Sequence, residues 1–160
     1  MGGENVSQKK PISEIMQSLR RIFKSIQQYS EEVLKEFGVT GPQLWLLKSL
    51  ERGEAGSIGE LSQKMFLHIS TVSGIVDRLE EKGYVVRKKE GPDRRVVTVH
   101  LTDTGKRIVA RSPEPSQGKL LYGLQHLPLE EVLKIHEALK KIAHLMEVEQ
   151  IKVKFFFSEE

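Results

Sequence analysis

The apolar residues change period once between positions 57 and 101, and that change limits the folds open to this chain. Val72, Ile75, Val76 and Leu79 are spaced by three and four, the stripe of a helix packed on one side. Val97, Val99 and Leu101 are spaced by two, with Thr98 and His100 between them, the alternation of a half-buried strand. Ahead of the helix lies a shorter helical pattern, IGELSQKMF, with Ile58, Leu61 and Met65 facing inward. Ser57 and Glu60 open it as a capping box, and Leu67-His68-Ile69 supplies the turn. Tyr84 to Lys89 is β-prone and leads across Gly91-Pro92 into the alternating run, which predicts a hairpin with a projecting loop. A short helix, a tight turn, a second helix and a hairpin together predict a winged helix-turn-helix.

The remaining segments are helical. Ile12, Ile15, Met16, Leu19, Ile22, Phe23, Ile26, Val33, Leu34 and Phe37 form one stripe, which predicts a helix from about Pro11 to Phe37, stopped by Gly38. A first helix of that length is expected to pack on another chain as well as on its own domain. Thr40 and Gln43 form another capping box, and the helix they open stops at Gly53. Thr102 caps a helix reaching about Arg111, broken by Pro113 and Pro115. A helical pattern resumes over GKLLYGLQHL, and Pro128 opens a last helix striped with Leu129, Val132, Leu133, Ile135, Leu139, Ile142 and Leu145. The expected class is therefore mainly α with a small β-hairpin wing. Residues 1–10 read as a disordered polar tail, 11–146 as a single domain, and 147–160 as a C-terminal tail of unknown role that contains Phe155-Phe156-Phe157.

Composition narrows the function. The 160 residues include no cysteine, which excludes disulfides, thiolate zinc sites and thiol redox sensing in this chain. No apolar run is long enough to span a membrane, and MGGENVSQKK lacks the apolar core of a signal peptide, so a cytoplasmic protein is expected. No phosphate-cradling glycine loop, H-E-x-x-H pair or nucleophile elbow is present, so neither an enzyme nor a cofactor is expected. Net charge is only +3, yet Lys64 to Arg107 holds ten Lys and Arg against six Asp and Glu, an excess larger than that of the whole chain. A local basic excess over a helix-turn-helix and hairpin suits double-stranded DNA.

A helix that reads base edges needs small side chains on its leading face and a few long donors. The face opposite the apolar stripe offers Ser70, Thr71, Ser73 and Gly74, with Arg78 one turn on. Gly74 costs on the order of 1 kcal/mol of helix stability against Ala, which close backbone approach would justify. A plain solvated face has the same composition. In the wing, Asp93-x-Arg95 has the spacing for a carboxylate to hold a guanidinium extended towards a narrow minor groove.

With these residues together, the chain resembles the MarR family of transcriptional regulators over about Ile12 to Met146. The resemblance rests on IGELSQKM, on STVSGIVDRLEEKGYVVRK, on the wing GPDRR and on VVTVHLTDTGK. It implies a homodimer joined through helices at about 11–37 and 116–146, flanking a winged helix-turn-helix at about 40–102. It also implies a sequence-specific regulator of a pseudo-palindromic operator, usually a repressor released by a small phenolic or anionic effector. Carried over, the DNA-binding residues are Ser70, Thr71, Ser73, Gly74, Arg78, Lys88, Lys89, Asp93, Arg94 and Arg95, with Lys88 and Lys89 on phosphates and Arg95 in the minor groove. Two features depart from the pattern: SPEPSQ at 112–117, a kink found in only part of the family, and the aromatic tail.

Tyr29, Phe37 and Trp45 are candidates to line an effector pocket, although such residues more often form a core or a dimer interface. His68, His100, His126, His136 and His144 raise a metal-responsive regulator as a second reading, but their dispersal fits surface histidine and no metal site is assigned. The same composition also suits an architectural DNA-binding protein without a ligand, or an interaction module that has lost DNA contact.

Overall fold

A computed structural model describes residues 4–53, 56–89 and 96–151. Among these are seven helices and three strands: α1 (Glu4–Phe37), α2 (Gly41–Gly53), β1 (Gly56–Ser57), α3 (Ile58–Met65), α4 (Ile69–Glu81), β2 (Val85–Lys89), β3 (Val97–Leu101), α5 (Asp103–Arg111), α6 (Ser116–Gln125) and α7 (Leu129–Leu145). The expected mainly helical class with a hairpin wing is the observed one.

Local chemistry sets the boundaries. The Thr40 amide donates to Gln43 Oε1 at 3.0 Å, and the Gln43 amide donates back to Thr40 Oγ1 at 3.4 Å, so α2 opens on a reciprocal cap. Ser57 and Glu60 do the same for α3. The amide of Ser57, then its hydroxyl, holds the Glu60 carboxyl below its ordinary range. Glycines in the left-handed region end α1 at Gly38 (φ 66°) and follow α4 at Gly83 (φ 71°). The Lys82 ammonium donates to the carbonyl of Gly38 at 2.6 Å, tying the end of the first helix to the end of α4.

The sheet is antiparallel in the order β1-β3-β2, with Val85 opposite Leu101, Arg87 opposite Val99 and Lys89 opposite Val97. The hairpin is legible in the sequence, but β1 is not. Gly56 and Ser57 pair with Val99 and Thr98, and a two-residue strand is too short to carry a period. The core lies between the carboxyl half of α1 (Tyr29, Val33), α2 (Leu44, Leu46, Leu47, Leu50), α3 (Leu61, Met65), the stripe of α4, and Val85, Val99 and Val109.

Two differences from the sequence reading concern the helices. The sequence predicts a polar tail over residues 1–10, yet α1 begins at Glu4. Helix propagation needs backbone hydrogen bonds and not an apolar stripe, so the period has no bearing on where a polar end begins. Pro11 lies inside this helix, not at its start. The second difference is burial. The amino half of α1 exposes Ile12, Ile15, Met16, Ile22 and Phe23, and neither α6 nor α7 buries a single residue. Leu129 and Leu145 of α7 are 73% and 76% exposed. Residues 152–160, including the Phe155-Phe156-Phe157 run, lie outside the described residues.

Gly105 joins the wing to the helices. Thr102 donates its amide to the Tyr84 carbonyl at 3.0 Å and its hydroxyl to the Gly83 carbonyl at 2.7 Å, and its Oγ1 accepts the Gly105 amide at 3.1 Å. A Cβ on Gly105 would overlap the Tyr84 oxygen, a backbone atom with no rotamer to yield. Gly105→Ala is expected to lower unfolding free energy by about 1–3 kcal/mol, read from urea denaturation; an unchanged midpoint would contradict the packing described.

Candidate nucleic-acid interface

Helix α4 turns its apolar stripe fully inward. Val72, Ile75, Val76 and Leu79 are buried, which leaves the small polar face outside. Ser70, Gly74 and Arg78 are exposed, and Thr71 and Ser73 half-buried. Among the described residues nothing lies within 4 Å of a Cβ built on Gly74, so no contact there requires glycine. Lys88 and Lys89 are exposed on β2 beside the same helix. Ser70, Thr71, Ser73, Gly74 and Arg78 thus lie on α4 outside its buried stripe, and Lys88 and Lys89 lie on the strand that packs beside it. Asp93, Arg94 and Arg95 lie outside the described residues.

The turn before α4 is tight. Phe66 adopts the left-handed region (φ 53°), unusual for a bulky residue, and is 72% exposed. The Leu67 amide donates to the Ser62 carbonyl at 3.0 Å, and the Ser62 hydroxyl to the Leu67 carbonyl at 2.7 Å. His68 begins α4 without a side-chain cap, so only backbone and packing hold its amino end.

An ion-pair network that the sequence pattern does not reveal joins α4 to the wing. Arg87 donates from Nη1 to Glu80 Oε2 and from Nη2 to Asp77 Oδ1, both at 2.5 Å. Its amide donates to Glu80 Oε1 at 2.9 Å. That amide, then the guanidinium, lowers the Glu80 pKa from its ordinary 4.5. Burial works against the charge on Arg87, but the two carboxylates outweigh it and its pKa is raised. Arg87 is one of the basic residues that a charge count assigns to DNA; in the fold it spends its charge holding β2 to α4. Lys48, outside the basic span, likewise has a structural role. Buried on α2, it donates to the carbonyls of Val109 and Ser112 at 2.8 and 3.0 Å, closing the end of α5. Its place in the apolar run LWLLKSL was the available signal.

Tyr29 is buried in the core, and Phe37 packs against it half-buried. The Tyr29 hydroxyl has no partner among the described residues, and burial, then Glu114 and Glu32, pushes its pKa up. Trp45 does line a groove of about 480 Å³ between α6 and the helix-turn-helix, facing Leu120, Leu121 and Leu124. Gln117 and Thr71 also border it, and Gln117 Oε1 is buried without a partner among the described residues. The histidines are dispersed: His144 meets Glu149, His126 meets the Tyr122 carbonyl, and no group of three or more metal-ligating side chains converges among the described residues.

A small-faced helix at the end of a tight turn, braced to a basic hairpin, is the arrangement of a winged helix-turn-helix DNA-binding protein. Known proteins of similar sequence and shape agree. The MarR family model matches residues 37–96. The HTH-type transcriptional regulator YsmB of Bacillus subtilis is 35% identical over 135 residues, covering 84% of this chain and 92% of its own. The HTH-type transcriptional repressor MdtR of the same organism is 30% identical over 139 residues, 87% of this chain and 90% of its own. A MarR family protein from Bacillus stearothermophilus superposes with a TM-score of 0.53 at 32% identity, over 87% of this chain and 97% of that one. The chain belongs to the MarR family of HTH-type transcriptional regulators. No helix among the described residues is long and apolar enough to cross a membrane.

Because the folded-state pKa of Glu80 is depressed, the stability it contributes is present above the ordinary glutamate value and is lost as pH falls through the folded value. Wild type should therefore melt above Arg87→Met by a constant margin near neutral pH, with the margin shrinking below about pH 4.5. A margin independent of pH down to strong acid would show that the network carries no such linkage.

Proposed function

We propose that this chain is a homodimeric repressor of a pseudo-palindromic operator, released when a small molecule binds. The observation that carries the DNA reading is the outer face of α4, small and polar where its opposite side is wholly buried. Ser70, Thr71, Ser73, Gly74 and Arg78 read the major groove; Lys88 and Lys89 hold phosphates; Arg95, aimed by Asp93, enters the minor groove, and Arg94 takes a phosphate. The repressor MdtR, similar over most of both chains, supports repression.

Dimerisation is supported by the exposed apolar residues of the amino half of α1 and of α7. Ile12, Ile15, Met16 and Phe23 border one groove of about 440 Å³ with Ile142, Leu145 and Met146. Each such side chain stabilises by about 1.5–3 kcal/mol when fully buried, a gain that a single chain forgoes. The helices at about 4–37 and 116–146 form this dimerisation region, and residues 40–102 the DNA-binding part. Two α4 helices then sit about 34–36 Å apart, in successive major grooves. The groove beside Trp45 is the effector site, because it lies between α6 and the amino end of α4. An effector biases the dimer towards a spacing that no longer fits the operator.

Sedimentation equilibrium at micromolar concentration should return twice the chain mass; a single-chain mass would sink the dimer. The DNA reading is tested by binding to the chain's own promoter against random duplex, where specific binding should be tighter by at least about a thousandfold. A small ratio would favour an architectural protein. Gly74→Ala should raise helix stability by about 1 kcal/mol yet weaken operator binding. Arg95→Ala should weaken operator binding without altering preference at major-groove positions; unchanged affinity in both variants would remove the contacts assigned here.

A further inference from the structure

Among the described residues, Lys48 is the one charged side chain that is buried. It stands on α2 beside Leu47, which is fully buried in the core that also holds the stripe of α4. Its ammonium is therefore fixed relative to the DNA-binding part. What it reaches is the joint between α5 and α6. It donates to the Val109 carbonyl at 2.8 Å and to the Ser112 carbonyl at 3.0 Å, and Glu114 Oε1 stands 4.0 Å away. A buried ammonium is costly unless its donors are used, and a buried carbonyl is costly unless it accepts. The lysine and the two carbonyls thus hold one another in place.

The backbone of the joint does little to tie it down. Pro113 and Pro115 have no amide hydrogen to donate. Ser112 spends its amide on the Ile108 carbonyl at 3.0 Å and its hydroxyl on the Val109 carbonyl at 3.1 Å, both within α5. Beyond the joint, α6 buries no residue. It faces the helix-turn-helix across the open groove beside Trp45, and it comes near α2 at Gly118, where Trp45 Nε1 lies 3.6 Å from the position of a Cβ. A helix packed so lightly takes its direction from the residues that lead into it, and those are the residues that Lys48 grips.

We propose that Lys48 is a positioning residue. By pinning the α5–α6 joint to α2, it fixes the angle between the DNA-binding part and the dimerisation helices, and with it the separation of the two α4 helices on the operator. The proposal rests on the dimeric operator reading and names the group that sets its geometry. Because α2 and α4 share one core, a change at the joint turns the DNA-binding part as a whole.

Lys48→Met keeps most of the side-chain length and removes the ammonium. In the full-length protein, the single tryptophan, Trp45, reports the joint, because α6 leans on it at Gly118. Acrylamide should quench Trp45 more steeply in the variant than in wild type. Affinity for the operator found on the chain's own promoter should fall about tenfold, a size typical of coupling between sites. Affinity for a duplex carrying one half-site should stay unchanged, since each DNA-binding part is intact; damage to that part would lower both affinities alike. Glu114→Gln removes only a charge, on a side chain 41% exposed, and should weaken operator binding in the same way but by less. It carries the test if Lys48→Met does not fold. Three results would overturn the proposal: Trp45 quenching unchanged in Lys48→Met, an operator loss matched by the half-site loss, or operator affinity unchanged in Glu114→Gln when Lys48→Met is unfolded. Failure of the dimeric reading shows elsewhere, as a wild-type chain that binds the full operator no tighter than one half-site. Quenching of Trp45 then still decides whether Lys48 holds the joint.

Discussion

The carbonyl oxygen of Tyr84 is the point on which the DNA-binding half depends. It accepts the Thr102 amide at 3.0 Å, closing the open end of the hairpin, and it occupies the space that a side chain on Gly105 would need. Tyr84 itself is placed by its amide, which donates to the Leu79 carbonyl at 2.9 Å at the end of α4. One residue therefore sets α4, both hairpin strands and the start of α5 relative to one another. The L-T-x-x-G pattern after the strand has a physical content: Thr to cap the helix and bond back to Gly83, and Gly because no Cβ fits.

Much of this is legible in the sequence, for identifiable reasons. The stripe of α4, the two capping boxes, the Thr102 cap and the alternating strand each carry a local signal, and each appears where expected. What escapes is non-local. Arg87 looks like a DNA-binding residue until the fold brings Asp77 and Glu80 to it. Lys48 looks like an interruption of an apolar run until the end of α5 arrives above it. Tyr29 lies in the core and Phe37 packs against it, because the carboxyl half of α1 is the half its own domain covers. Trp45 reaches the groove because α6 follows the break at Pro113 and Pro115 and lies across from it.

In composition the apolar stripe of α1 is continuous, but the fold divides it. Its carboxyl half is a core element, while its amino half and α7 leave most of their apolar residues exposed. Periodicity reports that a helix has an apolar side, not how many partners share that side. The same limit applies at Gly74, where the described residues leave the space open and give no internal reason for glycine.

The bond from Lys82 to the Gly38 carbonyl fixes α4 at its carboxyl end, whereas the amino end has no side-chain cap. The stripe holds the helix along its whole length: Val72, next to Thr71, is fully buried in the same core as Leu79 near the other end. The amino end therefore cannot swing without repacking that core, and α4 moves with its domain as one rigid body.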